Sequence, residues 1–190
     1  FRSKMRMFRV PGDHNYQPMQ VLNDYDSTKT VHLDLDIKAN GDFTYKVTSE
    51  GGSENVMSGN MDDWAGGYIG VLTFQTEAEL SNIQFTDRTV RADDSLFHTT
   101  LENLRGLQGS WKITEKGMHS QGSGDNFAIS DTKIENFEYS ANINNLDKKG
   151  AGALMFRVQN PDNPQAGCYV INADYTHNIF KLFEFPTGGS

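Results

Sequence analysis

Histidine occurs at positions 14, 32, 98, 119 and 177, and no two stand at the spacing by which close neighbours share a metal ion. Cys168 is the sole cysteine, so the chain can form neither an internal disulfide nor a cysteine-based zinc site. There is no nucleophile elbow, and Gly122-Ser123-Gly124 lacks the Lys-Ser/Thr pair that completes a phosphate loop. Two carboxylates about 5–5.5 Å apart could act as glycosidase acid and nucleophile, yet 25 acidic residues supply so many pairs that none is singled out. Oxygen donors for calcium occur as Asp34, Asp36, Asn40 and Asp42, and as Asn23, Asp24 and Asp26. Neither run has the spacing of a helix–loop–helix calcium loop, and solvated or turn-forming roles explain both. No cofactor is therefore expected, with a structural calcium ion as the one candidate. Covalent and metal chemistry find little footing in these residues.

Any binding residues must be positioned by strands. In Phe43-Thr44-Tyr45-Lys46-Val47, in Phe137 to Ile143 and in Leu154 to Val158, apolar and polar residues alternate, the period of a half-buried strand. Further strands are predicted at Met5–Val10, Thr30–Ile37, Gly67–Phe74, Leu80–Phe85, Ser110–Thr114, Asn126–Ser130, Cys168–Ala173 and Ile179–Phe185, with Trp111 in the core. Asn40-Gly41 predicts a two-residue hairpin with positive φ at both positions, and Gly- and Pro-rich stretches punctuate the rest. The best helix candidate, around Leu96–Arg105, has only a weak apolar stripe. Many short strands with frequent turns predict an all-β, antiparallel sandwich.

Composition narrows the partners. Lys+Arg number 17 against 25 acidic residues, giving a net charge of -8, so a polyanionic nucleic acid would be repelled overall. No apolar run approaches 18 residues, so no membrane-spanning helix is expected. Aromatics at 11% exclude a disordered acidic tail. The chain begins at Phe1 without a signal-like segment, which reads as a piece of something longer.

Arg6-Met7-Phe8-Arg9-Val10-Pro11 matches Lys181-Leu182-Phe183-Glu184-Phe185-Pro186 in character, 175 residues on (6 to 181). Either two edge strands resemble each other by chance, or the chain spans one period of a tandem array cut out of register. On the second view residues 1–88 are the C-terminal half of one module, 89–104 a linker, and 105–190 the N-terminal half of the next. The halves then either assemble as one permuted sandwich or belong to separate incomplete modules.

The succession Gly122-Ser123-Gly124-Asp125-Asn126-Phe127-Ala128-Ile129-Ser130, Asn136-Phe137-Glu138-Tyr139, Gly152-Ala153-Leu154-Met155-Phe156-Arg157, Gly167-Cys168-Tyr169-Val170-Ile171-Asn172 and Lys181-Leu182-Phe183 resembles the fructan-binding modules of carbohydrate-binding family 66. Such modules accompany levanases and inulinases of glycoside hydrolase family 32. Gly66 to Phe74 and Leu80 to Phe85 look like the closing strands of the same module, here placed before the opening ones. The resemblance implies a concanavalin-like jelly roll with a non-catalytic site for terminal fructose of levan or other β-fructans. It further implies a secreted or cell-surface location, a polysaccharide partner and neighbouring modules in the same polypeptide. The Asp-Pro-Asn-Gly, Arg-Asp-Pro and Glu-Cys blocks of the parent hydrolases do not occur in this sequence.

For a sugar, the candidates are Arg157, whose fork of donors can span two hydroxyls, and Glu138, expected beside it; strand parity puts both on the solvent side of their strands. An exposed ion pair worth about 0–1 kcal/mol is the plainer account of that pair. Asp125 follows the Gly-rich loop, where it either orients a ligand or bonds local amides. Trp64, in an acid-flanked turn, offers a stacking surface or anchors its loop. Tyr169 supplies ring and hydroxyl, or is simply a half-buried strand residue. A small concanavalin-like glycosidase and a spacer or adhesion repeat with a decayed sugar site are the alternatives.

Overall fold

A computed structural model describes residues 4–9, 17–61, 64–88, 104–122, 124–185 and 187. His14, His98, most of the 89–104 linker and most of the helix candidate lie outside them. The elements are β1 (Lys4–Arg9), β2 (Gln17–Val21), β3 (Val31–Ile37), β4 (Asp42–Ser49), β5 (Asn55–Asn60), β6 (Tyr68–Phe74), β7 (Ala78–Asp87), β8 (Leu104–Gln108), β9 (Ser110–Thr114), β10 (Gly117–Gln121), β11 (Asp125–Ser130), β12 (Phe137–Asn145), β13 (Ala151–Val158), β14 (Cys168–Asp174) and β15 (Ile179–Phe185). The fold is all-β, a sandwich of two sheets whose strands pair antiparallel except for β1 with β15. One runs β5-β4-β3-β12-β7-β10-β9; the other runs β15-β14-β13-β6-β11-β8 and is continued beyond β15 by β1 and β2. Leu104 and Arg105 of the helix candidate are strand, not helix.

Alternation builds the seven-stranded sheet. Val31, Leu33, Leu35 and Ile37 of β3, Phe43, Tyr45 and Val47 of β4, and Phe137, Tyr139, Ala141 and Ile143 of β12 turn inward. They meet Leu154, Phe156, Tyr169, Ile171, Phe180 and Leu182 from the other sheet in one core. The intervening polar residues stay on the outer face, which a strand's two-residue period requires. Trp111 packs only partly buried against this core.

The other sheet is covered on both faces. Behind it a second cluster gathers Leu72, Phe127, Ile129, Ala153, Met155, Val158, Cys168 and Val170, joined by Tyr68, Leu107, Phe183 and Phe185. Gln165 Nε2 donates to Asp125 Oδ2 at 2.9 Å, and Arg105 Nη2 to Asp162 Oδ1 at 2.8 Å. These bonds tie the 159–167 loop to β11 and β8. Double coverage explains why β13 and β14 are buried along their whole length.

The β3–β4 connection departs from the expected two-residue turn. Lys38 N donates to Asp42 O and Gly41 N to Lys38 O, and only Gly41 is left-handed, at φ +92°. This is a β-turn closed by a glycine bulge, the usual device of slightly longer hairpin loops. Asp42 there accepts from the Asn40 and Asn60 amides at 2.9 and 2.8 Å, while Asp26 accepts from Thr28. The oxygens of Asn40, Asp42 and Asp26 are thus engaged in turns, while Asp34 and Asp36 lie apart from them along β3. Among the described residues no group of three His, Cys, Asp or Glu could hold a metal ion.

The two ends of the chain interleave. β12 sits between β3 and β7, and β6 between β13 and β11. β1 lies parallel to β15 with Arg6 opposite Lys181 and Arg9 opposite Glu184, so the first four positions of the similar hexapeptides pair side by side at the same 175-residue offset.

Cys168 is fully buried, and burial pushes its thiol well above the ordinary range, so little reactive thiolate forms. Ellman's reagent should leave it untouched in the native protein and modify it at once in concentrated urea. Stoichiometric labelling under native conditions would contradict this placement.

Candidate functional site

Arg157 falls at an irregularity. Against β6, the register of β13 shifts between Met155 and Val158, and Arg157 has φ +50°. Met155 and Val158 face the outer cluster and Phe156 the central core. The extra residue of this β-bulge lets Arg157 follow Phe156 inward. The expectation that strand parity puts Arg157 on the solvent side therefore fails, because alternation breaks where the bulge is inserted. The side chain is 1% exposed. Nη1 donates to Met61 O at 2.7 Å and Nη2 to Lys38 O at 2.9 Å, while Nε has no partner among the described residues. One guanidinium thus joins the β3–β4 turn and the segment after β5 to the opposite sheet.

Gly67 makes the bulge feasible. It exchanges backbone hydrogen bonds with Ile134 at 3.0 and 2.9 Å, and any side chain there would run into the backbone of Arg157 and Val158. Gln159 Nε2 donates to the carbonyls of Gly66 and Arg157, both at 2.8 Å. The Gly66-Gly67 segment is thereby fixed, and with it the half-buried Trp64 just upstream.

Trp64 meets Tyr169 edge to face, centroids 5.2 Å apart, and Tyr169 stacks on Phe156 at 5.5 Å. Tyr169 is 4% exposed, so it supports the indole from beneath. Burial holds the Arg157 guanidinium below its ordinary range, with Tyr169 and Glu135 acting in the other direction. Glu135 is exposed and its side chain lies over Gly66. The arrangement is an aromatic edge, an exposed carboxylate and a buried cation at one end of the sandwich.

Of the five residues singled out in the sequence, the structure brings Trp64, Tyr169 and Arg157 together. Asp125 pairs with Phe74, while the bulge end of β13 pairs with Tyr68, six residues along β6 and hence about 20 Å away. Glu138 does face outward, but from the seven-stranded sheet, where it pairs with Arg88. Arg157 points into the opposite side of that sheet, so the two are not neighbours. Glu135 and Gln159 complete the local arrangement and were not singled out. The Gly66-Gly67 pair was the signal pointing to them, since adjacent glycines mark a close backbone approach.

No protein-family model matches the chain. A stretch of 95 residues, 47% of the chain, is 33% identical to a levanase of Bacillus subtilis (strain 168), of which it covers 14%. A stretch of 90 residues, 46% of the chain, is 35% identical to a fructan beta-fructosidase of Streptococcus mutans serotype c (strain ATCC 700610 / UA159), of which it covers 6%. The chain thus spans well under a fifth of either relative. It is a β-sandwich region related to part of fructan-degrading enzymes.

Arg157→Ala removes two charge-assisted hydrogen bonds and leaves two carbonyls to find new partners. Urea denaturation should show a loss of about 3 kcal/mol or more. Arg157→Lys should recover only a minor part, because one ammonium on a linear stem does not reproduce the fork. Wild-type stability in the alanine variant would refute the clamp.

Proposed function

We propose that this chain is a non-catalytic carbohydrate-binding module of the family 66 kind. It holds terminal fructose of levan or another β-fructan and keeps a secreted fructan-degrading enzyme at its polymer. The observation that carries this reading is the relation of nearly half the chain to small parts of two fructan-acting enzymes. A segment that forms so small a share of an enzyme fits an accessory role. Tethering raises the local concentration of enzyme over substrate without adding a catalytic group.

The site geometry supports the Trp64 end of the sandwich as the contact. The indole, backed by Tyr169, offers an apolar edge for a sugar ring. Glu135 accepts from hydroxyls beside it. Arg157, with its guanidinium on two main-chain carbonyls, acts as a positioning residue that fixes the loops carrying the contact. Asp125 acts at a distance by holding the 159–167 loop through Gln165. Glu138 has no part in this end of the molecule.

Trp64→Ala should weaken binding to a short levan oligosaccharide at least tenfold in calorimetric titration, with the circular dichroism spectrum of the folded chain retained. Incubation of the wild-type chain with levan, inulin or β-glucan should release no reducing sugar. Unchanged oligosaccharide affinity in the variant would remove Trp64 from the site. Sugar release abolished by one carboxylate substitution would instead establish a glycosidase.

A further inference from the structure

We propose that the outer face of the seven-stranded sheet is a second carbohydrate-contact surface, one that holds an internal run of a β-fructan chain while the Trp64 end holds its terminus. The choice of ligand class rests on the function proposed above; the surface itself stands on separate observations.

A trough of about 630 Å³ crosses β4, β3, β12 and β7. Strand register arranges its floor in rows. Thr44, Asp36, Glu138 and Thr86 form one, and Lys46, Asp34, Ser140 and Gln84 the next. The first row is closed on itself, since Arg88 bonds both Asp36 and Glu138, and Lys38 bonds Asp36 at 2.9 Å. The second row is open. Asp34 has no hydrogen-bond or ion-pair partner among the described residues, and Lys46 contacts only Glu54, at 3.6 Å. Across this row stand a pure donor, a pure acceptor and two groups that do both. Such a sequence suits a line of hydroxyls, each of which both donates and accepts.

Two features favour a furanose polymer over a stacked pyranose. The trough has no aromatic floor, because Phe85 and Tyr139 turn their rings into the core. A puckered five-membered ring with projecting hydroxymethyl groups presents no broad flat face, and hydroxyl contacts suffice for it. The width also exceeds one ring, since four strands about 4.8 Å apart span about 15 Å. At the far wall the register of β12 against β7 shifts between Ser140 and Asn142, and Asn82 takes φ +49°. Bulges re-aim side chains. Here the bulged Asn82 accepts from Gln84 Nε2 at 3.2 Å, which fixes the amide at the end of the open row.

The test compares high-molecular-weight levan with a levan trisaccharide on the wild-type chain, on Asp34→Ala/Gln84→Ala and on Lys46→Ala. Circular dichroism controls for folding at these outer-face positions. Wild type should bind polymer at least tenfold more tightly per chain end than trisaccharide. The double variant should lose that advantage and keep its trisaccharide affinity, and Lys46→Ala should lose part of it. Polymer affinity unchanged in both variants overturns the second surface. Trisaccharide binding unchanged in Trp64→Ala overturns the end-binding site instead, so the two failures are distinguishable.

Discussion

A buried guanidinium governs this end of the sandwich. Removing a cation from water is tolerable only where fixed acceptors replace the lost hydration. For Arg157 those acceptors are two main-chain carbonyls, of Lys38 and Met61, on separate segments of the facing layer. To reach them the side chain must point inward, which demands the bulge in β13. The bulge in turn demands glycine at position 67, where a side chain would strike the Arg157 backbone. The turn carrying Trp64 is therefore set by the electrostatics of one residue that solvent does not touch.

The two outer faces have opposite characters for reasons that also begin in sequence. Where β13, β14 and β11 place Ala, Met, Val, Cys and Phe outward, further aromatics pack on them, and β13 and β14 are buried throughout. Where β3, β4 and β12 place Asp, Thr, Lys, Glu and Ser outward, no such cover is required. Among the described residues this second layer offers a broad polar surface to a large hydrophilic partner.

The sandwich was legible because period-two alternation survives in most strands. Ser110–Thr114 and Ile179–Phe185 have the predicted bounds, and β3, β4 and β12 lie within two or three residues of theirs. The strands not anticipated, β2, β5, β8 and β10, carry Gln, Asn, Ser or Gly where an apolar face would be sought. Their place is fixed by pairing with neighbours, which no local window contains. The parity of Glu138 could be read because β12 has no bulge before it; that of Arg157 could not, because an inserted residue shows itself only against a partner strand. The grouping of Trp64 with Tyr169 likewise arises from the crossing of distant segments.

Interleaving has a consequence for how the protein comes into being. During synthesis β3 to β7 emerge before β12 exists to fill the gap between β3 and β7, so hydrophobic strand edges wait unmatched. Pairings so remote in sequence are slow to form, and an unmatched edge invites association with another chain. The nascent polypeptide is thus at its most vulnerable until β12 and β13 have left the ribosome. A chaperone or a transport machinery that keeps it extended would find its substrate in that interval.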